Sequence, residues 1–242
     1  MFYIVGTPIG NLEDLSLRQA RIISEADLIL AEDTRRAGIL LDQIHSFFPN
    51  LPNPPNRPKL ISYYKDREFE KLPYIIELLT KSPTTNDQRP MTNIVLISDS
   101  GMPLISDPGQ LLINYLSKHA IPFTVIPGPT ALTTALVASG LKSNSFHFFG
   151  FLPKKGNELK KVIEISKEIA KFDKKTVFIG YESPNRLHET LLIMNEVIPE
   201  VHVCICRELT KKFEEVSRGT SAELMKRKYK GEIVLLFQYW NH

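Results

Sequence analysis

The sequence predicts an α/β protein with a mostly parallel N-terminal sheet and a mixed C-terminal sheet. Through the first half of the chain, short apolar stretches alternate with longer segments of helical periodicity, which is typical of parallel strands covered by helices on both faces. Beyond Pro129 the last apolar stretches come close together, which favours antiparallel pairing. The boundary is expected near Pro127, which gives an N-terminal α/β domain of residues 1–127, a C-terminal α/β domain of residues 128–242 and a cleft between them.

The elements of the first domain begin with a strand at Phe2–Val5, which leads through a turn-rich loop into a helix. Ser16 and Gln19 have the spacing of a capping box at the start of that helix. Pro73 is expected to start or kink a later helix, because proline lacks the amide donor. The other predicted strands cover Leu28–Ala31, 60–63, 94–98 and Phe123–Ile126, and the other predicted helices cover 38–45, 69–79 and 111–116.

In the second domain, helices and strands alternate until the final strands. Ser183 and Pro184 suit the cap and the first position of a helix, and Thr220 with Glu223 caps a short helix between the last two strands. The other predicted helices cover residues 130–139 and 159–170, and the predicted strands cover 146–150, 176–181, Val201–Arg207, 213–217 and 232–239.

The bulk properties are those of a globular protein. The chain has 242 residues, of which 43% are hydrophobic and 24% charged, enough for a substantial core. No apolar run approaches the ~20 residues that span a bilayer, and the N-terminus has no basic leader region, so a cytoplasmic protein is expected. Two proline-containing polar stretches, 48–58 and 82–92, are expected to be surface insertions.

The net charge of +3 is too small to indicate nucleic-acid binding by itself. Each pair of neighbouring basic residues is interpreted, taken alone, as part of a solvated face. These pairs are Arg35-Arg36, Lys154-Lys155, Lys160-Lys161 and Lys211-Lys212.

The sequence has no recognisable metal or nucleophile motif. Cys204 and Cys206 lie two apart in a predicted strand, where they share one face and a disulfide would strain the backbone, so two thiols against the core are expected. No second cysteine pair completes a zinc site, and the histidines follow no ligand spacing. P-loop, G-x-S-x-G and HExxH motifs are absent from the sequence.

Chemistry is expected in three loops that follow predicted strands, where parallel sheets bind ligands. The loop at residues 6–11 and the acidic pair Glu32-Asp33 have a spacing that invites a dinucleotide-binding interpretation. However, the loop is G-x-x-x-G and Pro8 removes a donor, so a simple βα turn is an equal alternative.

The second loop, residues 98–109, is too long for a plain turn and offers many backbone donors and acceptors to a polar ligand. Asp107 is expected to cap the following helix, with Pro108 at its first position. The third loop, residues 127–131, is stiffened by two prolines and is either a rigid domain junction or a backbone shelf for a ligand. The residues alone therefore indicate a nucleotide-like ligand between two α/β domains.

At these loops the sequence resembles the tetrapyrrole methylase superfamily and, within it, the 16S ribosomal RNA (cytidine-2′-O)-methyltransferases. The matching segments run in order from Ile4 to Phe237. They are IVGTPIGNLEDLSLRQ, ADLILAEDTRR, LISDSGMPLISDPGQ, VIPGPTALTTALVASGL, FHFFGFLPKKG, FIGYESPNRL, CRELTKKFEEVSRGT and GEIVLLF. Met102 stands where relatives typically carry a threonine.

The resemblance implies a homodimer without metal that binds S-adenosyl-L-methionine and methylates a ribose 2′-oxygen of a cytidine in 16S ribosomal RNA or the small ribosomal subunit. The cofactor carries the electrophilic methyl group. The residues that the resemblance places at the cofactor are Ile9, Asp99, Ser100, Gly101, Met102, Ile105, Thr130, Ala131, Tyr181, Glu182 and Leu209.

The reaction needs a base for the hydroxyl proton, and Asp33 is the first candidate and Glu32 the second. A structural ion pair with a neighbouring arginine is an equal alternative for either carboxylate. Candidates for phosphate contacts are Arg35, Arg36, Lys154 and Arg186. Two other functions remain open, namely methylation of a tetrapyrrole carbon and non-catalytic binding of the cofactor or of RNA.

Overall fold

The structure is a computed structural model that describes residues 1–51, 56–80, 93–142 and 144–239. The chain divides into two compact units, Met1–Thr130 and Ala131–His242, and this division lies three residues beyond the expected boundary at Pro127. Of the two expected surface insertions, residues 52–55 and 82–92 lie outside the described residues.

The first unit contains a five-stranded sheet in the order β3-β2-β4-β1-β5, with every neighbouring pair parallel. This confirms the predicted parallel N-terminal sheet. Its strands are β1 (Phe2–Val5), β2 (Leu28–Ala31), β3 (Lys59–Ser62), β4 (Ile94–Leu96) and β5 (Phe123–Ile126), and its helices are α1 (Leu17–Ser24), α2 (Thr34–Phe47), α3 (Glu68–Thr80) and α4 (Gln110–Lys118).

Both faces of the central strands β2 and β4 are buried, and successive side chains of a strand point to opposite sides of the sheet. Leu28 and Leu30 pack into one apolar cluster together with Leu112 of α4. Ile29 and Ala31 pack into the other. The central strands β2 and β4 are therefore apolar and buried throughout, as expected for a parallel sheet covered by helices.

Local signals at the helix ends of the first unit were partly predictive. The capping box of Ser16 and Gln19 is confirmed. Pro73 does not start its helix but lies inside α3, where it removes the amide that would reach the carbonyl of Phe69. A short 3₁₀ turn at Lys65–Arg67 directly precedes this helix.

The predicted cap of α4 by Asp107 is wrong. The helix begins at Gln110, and Gly109 holds the cap position without a side-chain bond. The buried carboxylate of Glu68 takes over the capping from another helix, since its Oε1 accepts from the Gly109 amide at 2.6 Å and its Oε2 from the Leu111 amide at 3.2 Å. Asp107 is thereby left available for another role.

The second unit contains a mixed five-stranded sheet in the order β6-β7-β10-β8-β9, as predicted. Strand β6 pairs with β7 in parallel, and all other neighbours are antiparallel. Its strands are β6 (Phe146–Phe151), β7 (Val177–Glu182), β8 (Val201–Arg207), β9 (Glu215–Gly219) and β10 (Ile233–Tyr239), and its helices are α5 (Ala131–Ser139), α6 (Gly156–Phe172), α7 (Pro184–Val197) and α8 (Ser221–Leu224).

The two faces of β8 separate its side chains as the strand period requires. Val203 and Ile205 pack into the core with α6 and α7. Cys204 and Cys206 occupy the other face, fully buried, with their Sγ atoms 3.9 Å apart. The Sγ of Cys206 lies 3.8 Å from the carbonyl of Ala135 in α5, so the predicted pair of core thiols is confirmed.

The helix starts of the second unit follow their sequence signals closely. Thr220 and Glu223 form the predicted capping box. Ser183 holds the cap position with Pro184 next to it, but the Ser183 hydroxyl makes no capping bond. Within the described ranges, none of the helices combines the length and the apolar character that a bilayer crossing requires.

Candidate active site

The carboxyl ends of β1, β4 and β5 lie at one edge of the first sheet, because these strands are parallel neighbours. The loops that follow β1 and β4 are joined there by an isolated antiparallel bridge. The Thr7 amide donates to the Gly101 carbonyl at 2.8 Å, and the Gly101 amide returns a bond to Thr7 at 3.1 Å. The buried Thr7 hydroxyl also donates to the Ser98 carbonyl at 3.2 Å. The first two predicted loops are therefore locked together.

The third loop meets the first at a close contact between two glycines. A Cβ on Gly6 would lie 2.8 Å from the Gly128 Cα and 2.6 Å from the Met102 Sδ. A Cβ on Gly128 would lie 2.8 Å from the Gly6 Cα, so neither position accepts a side chain without a backbone shift. The Gln19 Nε2 donates to the Gly6 carbonyl at 2.6 Å and braces the contact from α1.

Several residues that the sequence predicted for the cofactor line this convergence. The position that a Cβ of Gly101 would take lies 3.4 Å from the Ile9 Cγ2 and 3.6 Å from the Pro129 carbonyl. In the same loop, Ser100, directly before Gly101, is exposed, and Ile105 is half-buried. Thr130 is the last residue of the first unit and Ala131 opens α5.

A cavity of about 250 Å³ lies beside these loops within the first unit. Residues from the first two loops, from β2 and from α2 line it, among them Thr7, Ala31, Arg36, Ile97 and Asp99. The volume is just below the ~300–1,000 Å³ of small-molecule sites. The first unit by itself therefore offers a concave site next to backbone-rich loops.

Asp99 is tied to the start of α2. Its Oδ1 accepts from the Asp33 amide at 3.0 Å, and its Oδ2 lies 3.6 Å from the Arg36 Nη1. The contact joins the end of β4 to the end of β2, its neighbour in the sheet. The predicted cofactor residue Asp99 and the predicted catalytic pair are thus brought together.

Asp33, the first candidate for the base, is engaged structurally. It caps α2 by accepting from the Arg35 amide at 2.8 Å, and it accepts from the Arg35 guanidinium at 3.1 and 2.8 Å. These bonds lower the pKa of Asp33 to about 2. A carboxylate that holds its charge so firmly is a weak proton acceptor at neutral pH.

Glu32 lies in the opposite electrostatic setting. Partial burial of its carboxylate raises the pKa of Glu32, and the charge of Asp99 adds to the effect while Arg36 opposes it. Burial raises the pKa of Asp107 to about 6, with a contribution from the charge of Glu32 and an opposing hydrogen bond from Ser98. Glu32, Asp99 and Asp107 therefore form a cluster of interacting carboxylates.

Sequence reasoning missed Asp107 because a local explanation, helix capping, was at hand. The true cap, Glu68, lies 41 residues from the amide of Gly109 that it binds. The available signal was the length of the loop, which already marked residues 98–109 as more than a turn.

In the second unit the predicted residues lie at the carboxyl ends of β7 and β8. Glu182 is buried and accepts from the Thr190 hydroxyl and the Ser183 amide, both at 2.6 Å. It also pairs with Arg186, which donates to the Leu152 carbonyl at 3.2 Å. Glu182 and Arg186 are therefore held by each other and by neighbouring groups of the second unit.

Tyr181 and Leu209 lie at the same edge of the second sheet. The Tyr181 ring makes edge contacts with Phe148 at 5.0 Å and Phe151 at 5.4 Å between centroids. Leu209 is buried in the loop that follows β8. The predicted phosphate contact Lys154 is exposed in the loop after β6. Among the described residues, no group of three or more His, Cys, Asp and Glu is arranged to hold a metal ion.

A parallel α/β unit with converging carboxyl-end loops, followed by a mixed sheet, defines an α/β protein of the tetrapyrrole methylase class. The family model described as Tetrapyrrole (Corrin/Porphyrin) Methylases matches residues 1–225. Relatives named Ribosomal RNA small subunit methyltransferase I share 42% identity in Hydrogenobaculum sp., over 99% of this chain and 96% of the relative, and 36% in Thermotoga maritima, over 96% of each. The chain belongs to this ribosomal RNA small subunit methyltransferase I family of the tetrapyrrole methylases.

Solved structures agree on the fold at much lower identity. Diphthine synthase superposes with a TM-score of 0.66 at 11% identity, covering 98% of this chain and 89% of that chain. Uroporphyrin-III C-methyltransferase from Thermus thermophilus, complexed with S-adenyl homocysteine, gives 0.61 at 14% identity, covering 98% and 96%. These similarities establish a shared architecture.

Proposed function

We propose that this protein transfers a methyl group from S-adenosyl-L-methionine to the ribose 2′-oxygen of a cytidine in 16S ribosomal RNA. The observation that carries the proposal is the convergence of three loops at Gly6, Gly101 and Gly128, beside a cavity and a carboxylate cluster. Relatives named as small-subunit ribosomal RNA methyltransferases support the choice of substrate. A homodimer and a cytoplasmic location stay predictions of the same assignment.

The residues at the loops fit the cofactor chemically. Gly6 and Gly128 leave no room for side chains where their backbones meet, so the loops converge closely beside the proposed cofactor site. The carboxylates of Glu32, Asp99 and Asp107 make the site negative, which complements a sulfonium and an amino group. When bound, the cofactor supplies a methyl group on a positively charged sulfur.

Cofactor contacts are proposed for two sets of residues, one in each unit. In the first unit they are Ile9, Asp99, Ser100, Gly101, Met102, Ile105 and Thr130. In the second unit they are Ala131, Tyr181, Glu182 and Leu209.

For the base, we favour Glu32 over Asp33. A base accepts a proton best when its pKa lies near the working pH, and the pKa of Glu32 is raised whereas that of Asp33 is lowered to about 2. Glu32 would accept the proton of the 2′-hydroxyl, whose oxygen gains the methyl group as the methyl carbon–sulfur bond of the bound cofactor breaks and leaves a neutral thioether. Burial and the charge of Asp99 raise the pKa of Glu32 towards the working pH.

The proposed phosphate contacts differ in their availability. Arg35 and Arg36 have side chains that are 87% and 63% exposed, so both reach solvent despite their pairing with aspartates. Lys154 is also exposed. Arg186 is largely enclosed and paired with Glu182, which makes it the weakest of the four candidates.

The deciding experiment incubates the protein with labelled S-adenosyl-L-methionine and small ribosomal subunits that lack the modification, followed by nucleotide-resolution mapping of ribose methylation. The expected result is one methylated cytidine. Cofactor binding without transfer would favour a non-catalytic binding protein, and label in an added tetrapyrrole instead of RNA would favour carbon methylation. Either result would overturn the proposal.

A further inference from the structure

The carboxyl ends of three strands of the second sheet lie at one edge. Strand β6 is parallel to β7, and β10 is antiparallel to both β7 and β8. Strands β6, β7 and β8 therefore all end on the same side. With strands ~4.8 Å apart, the ends of β6 and β8 are ~14 Å from each other along this edge. We call this side of the second sheet the aromatic edge, after Phe151 and Phe213.

Phe213 stands on the loop that follows β8. Glu208 and Thr210 have φ angles of 49° and 64°, which is a left-handed conformation that non-glycine residues adopt only when their surroundings enforce it. The Thr210 amide donates to the Glu214 Oε2 at 2.6 Å. Lys211 bridges the Glu208 Oε1 at 3.2 Å and the Glu232 Oε2 at 2.9 Å. These hydrogen bonds and ion pairs hold the loop in one conformation.

The loop after β8 exposes the aromatic ring of Phe213 to solvent. The Phe213 side chain is 64% exposed, and the Nζ of Lys212 lies 5.7 Å from its ring centroid. Burial of a phenylalanine side chain would stabilise a protein by ~1.5–3 kcal/mol, so a ring held outward on strained backbone points to a binding function rather than to packing.

Phe151 is presented in a similar way at the end of β6. The pairing of β6 with β7 shifts register between Phe148 and Phe151, and Gly150 within this bulge has a φ of +69°. The bulge turns Phe151 outward, where it is 65% exposed and supported from the side by Tyr181. Bulges re-aim side chains in this manner. Two lysines, 154 and 155, follow and are exposed.

We propose that the aromatic edge binds single-stranded RNA, with unpaired bases stacked on Phe151 and Phe213 and with Lys154, Lys155 and Lys212 near the phosphates. This inference rests on the proposed function and names the part of the molecule that holds its substrate. Exposed aromatic rings with adjacent cations are the elements by which proteins bind unpaired nucleotides. The rigid supports limit the entropy that binding costs.

The chain offers a matched control in Phe172. This ring is 93% exposed at the end of α6, and Lys174 and Lys175 follow it. The segment leads into the amino end of β7, so Phe172 belongs to the opposite edge of the sheet. A non-specific effect of removing an exposed ring beside lysines would appear equally in Phe172→Ala.

The test measures binding of a fluorescently labelled single-stranded RNA that contains the target cytidine, in its unmethylated form, and its neighbouring nucleotides. Phe151→Ala and Phe213→Ala are each expected to weaken binding about tenfold, in the range of one lost stacking contact. Phe172→Ala is expected to bind as wild type, and Phe213→Trp is expected to retain binding because it keeps a stacking surface. In the methylation assay the alanine variants should raise KM for RNA and leave kcat and cofactor affinity unchanged.

If wild type, Phe151→Ala and Phe213→Ala bound the RNA with equal affinity, the inference would be overturned. Methylation by the wild-type protein would still support the proposed function in that case. A shift of self-association in sedimentation, with RNA affinity unchanged, would assign the edge to a second copy of the chain and also overturn it. Absence of methylation by the wild-type protein would instead refute the proposed function. Because the substituted rings are exposed, the melting temperatures of all variants should match.

Discussion

The two sheets carry different types of residue at the edges where their parallel strands end. The edge of the first sheet is formed by glycine-containing loops and a cluster of carboxylates, and no room exists for side chains at its centre. The edge of the second sheet carries two exposed phenylalanines with lysines beside them. The first edge suits a compact, positively charged ligand. The second edge suits a nucleic acid, whose flat bases can stack on the rings and whose phosphates are negatively charged.

Left-handed backbone with side chains present occurs at both edges. In the first unit, Gly6 and Gly128 permit the close approach of two backbones, and Leu104 and Ser106 of the second loop each have a φ of 71°. In the second unit, Glu208 and Thr210 adopt left-handed backbone with side chains present, and a network of carboxylate and lysine contacts holds them. The close backbone contact of the first edge needs glycines at positions 6 and 128, whereas the loop that carries Phe213 is held by contacts of Lys211 with Glu208 and Glu232.

The largest expected effect tests the carboxylate cluster of the first edge. Glu32→Gln is expected to lower kcat about 100- to 1,000-fold, within the range of a lost general base, with cofactor affinity nearly unchanged. Wild-type activity should fall as pH decreases through the raised pKa of Glu32, because the base must be deprotonated. Single-turnover kinetics across pH measure both.

Asp33→Asn is the matched control for that substitution. Asparagine caps a helix as well as aspartate, so α2 should persist and kcat should change only a few-fold. If Asp33→Asn lost as much activity as Glu32→Gln, the assignment of the base to Glu32 would have to be abandoned.

The next effect tests the backbone contact of the first edge. Gly6→Ala places a Cβ 2.6–2.9 Å from Met102 and Gly128, so the loops must separate. The free energy of unfolding is expected to fall by ~1–3 kcal/mol, as for overpacking in general, and calorimetry should show at least a tenfold loss of cofactor affinity. Unaltered affinity would remove the three-loop contact from the site.

Gly38 provides the comparison for Gly6. It lies in α2, and an added Cβ would meet the Arg57 and Leu60 side chains at ordinary contact distances of 3.6 and 3.9 Å. Gly38→Ala is therefore expected to stabilise the protein by ~0.5–1 kcal/mol through helix propensity, without effect on the cofactor.

A smaller effect concerns the stability cost of the acidic cluster. The folded state raises the pKa of Asp107 to about 6, so it binds the proton more tightly than the unfolded chain does. The free energy of unfolding therefore declines as pH rises from the pKa of Asp107 in the unfolded chain towards 6. Above that pH, the ionised Asp107 carboxylate destabilises the folded protein. Asp107→Asn should add ~1–2 kcal/mol at pH 8, after allowance for solvent screening, and little near pH 4.

Urea unfolding at the two pH values measures this difference, with the exposed Asp14→Asn as control. An equal gain at both pH values would indicate a packing effect instead of relief of charge. Loss of methyl transfer together with the gain in stability would mark Asp107 as part of the reaction site.

The smallest expected effect tests whether a lysine of the second edge contacts RNA phosphate. Lys154→Gln should weaken RNA binding only several-fold and should reduce the slope of log K against log salt by ~0.7, the value for one phosphate contact with a single strand. Lys174→Gln, from the opposite edge, should leave the slope unchanged. A uniform slope in all variants would mean that the lysines at this edge contact no phosphate.

The sequence allowed correct prediction of features that depend on near neighbours. The capping boxes of Ser16 with Gln19 and of Thr220 with Glu223 involve residues three apart, so their geometry follows from local backbone alone. The parallel and mixed sheets were likewise predictable, because strand spacing limits how strands can be connected.

Features that depend on distant residues were not predictable from local pattern. Glu68 caps α4 from α3, and Asp107 was therefore assigned a role that it does not have. The contact of Gly6 with Gly128 and the outward turn of Phe151 at a bulge depend on tertiary placement. The low pKa of Asp33 follows from a short-range pair with Arg35, which the sequence left as one of two equal interpretations.

The bridge between Thr7 and Gly101, closed by Gly128, has a consequence for biosynthesis. The residues that meet there span most of the first unit, so their assembly requires contacts of long sequence separation, which form late and slowly. In a nascent polypeptide the contact of the three loops cannot form until Gly128 has emerged from the exit tunnel. The proposed site for the methyl donor therefore cannot assemble before more than half of the chain has been translated.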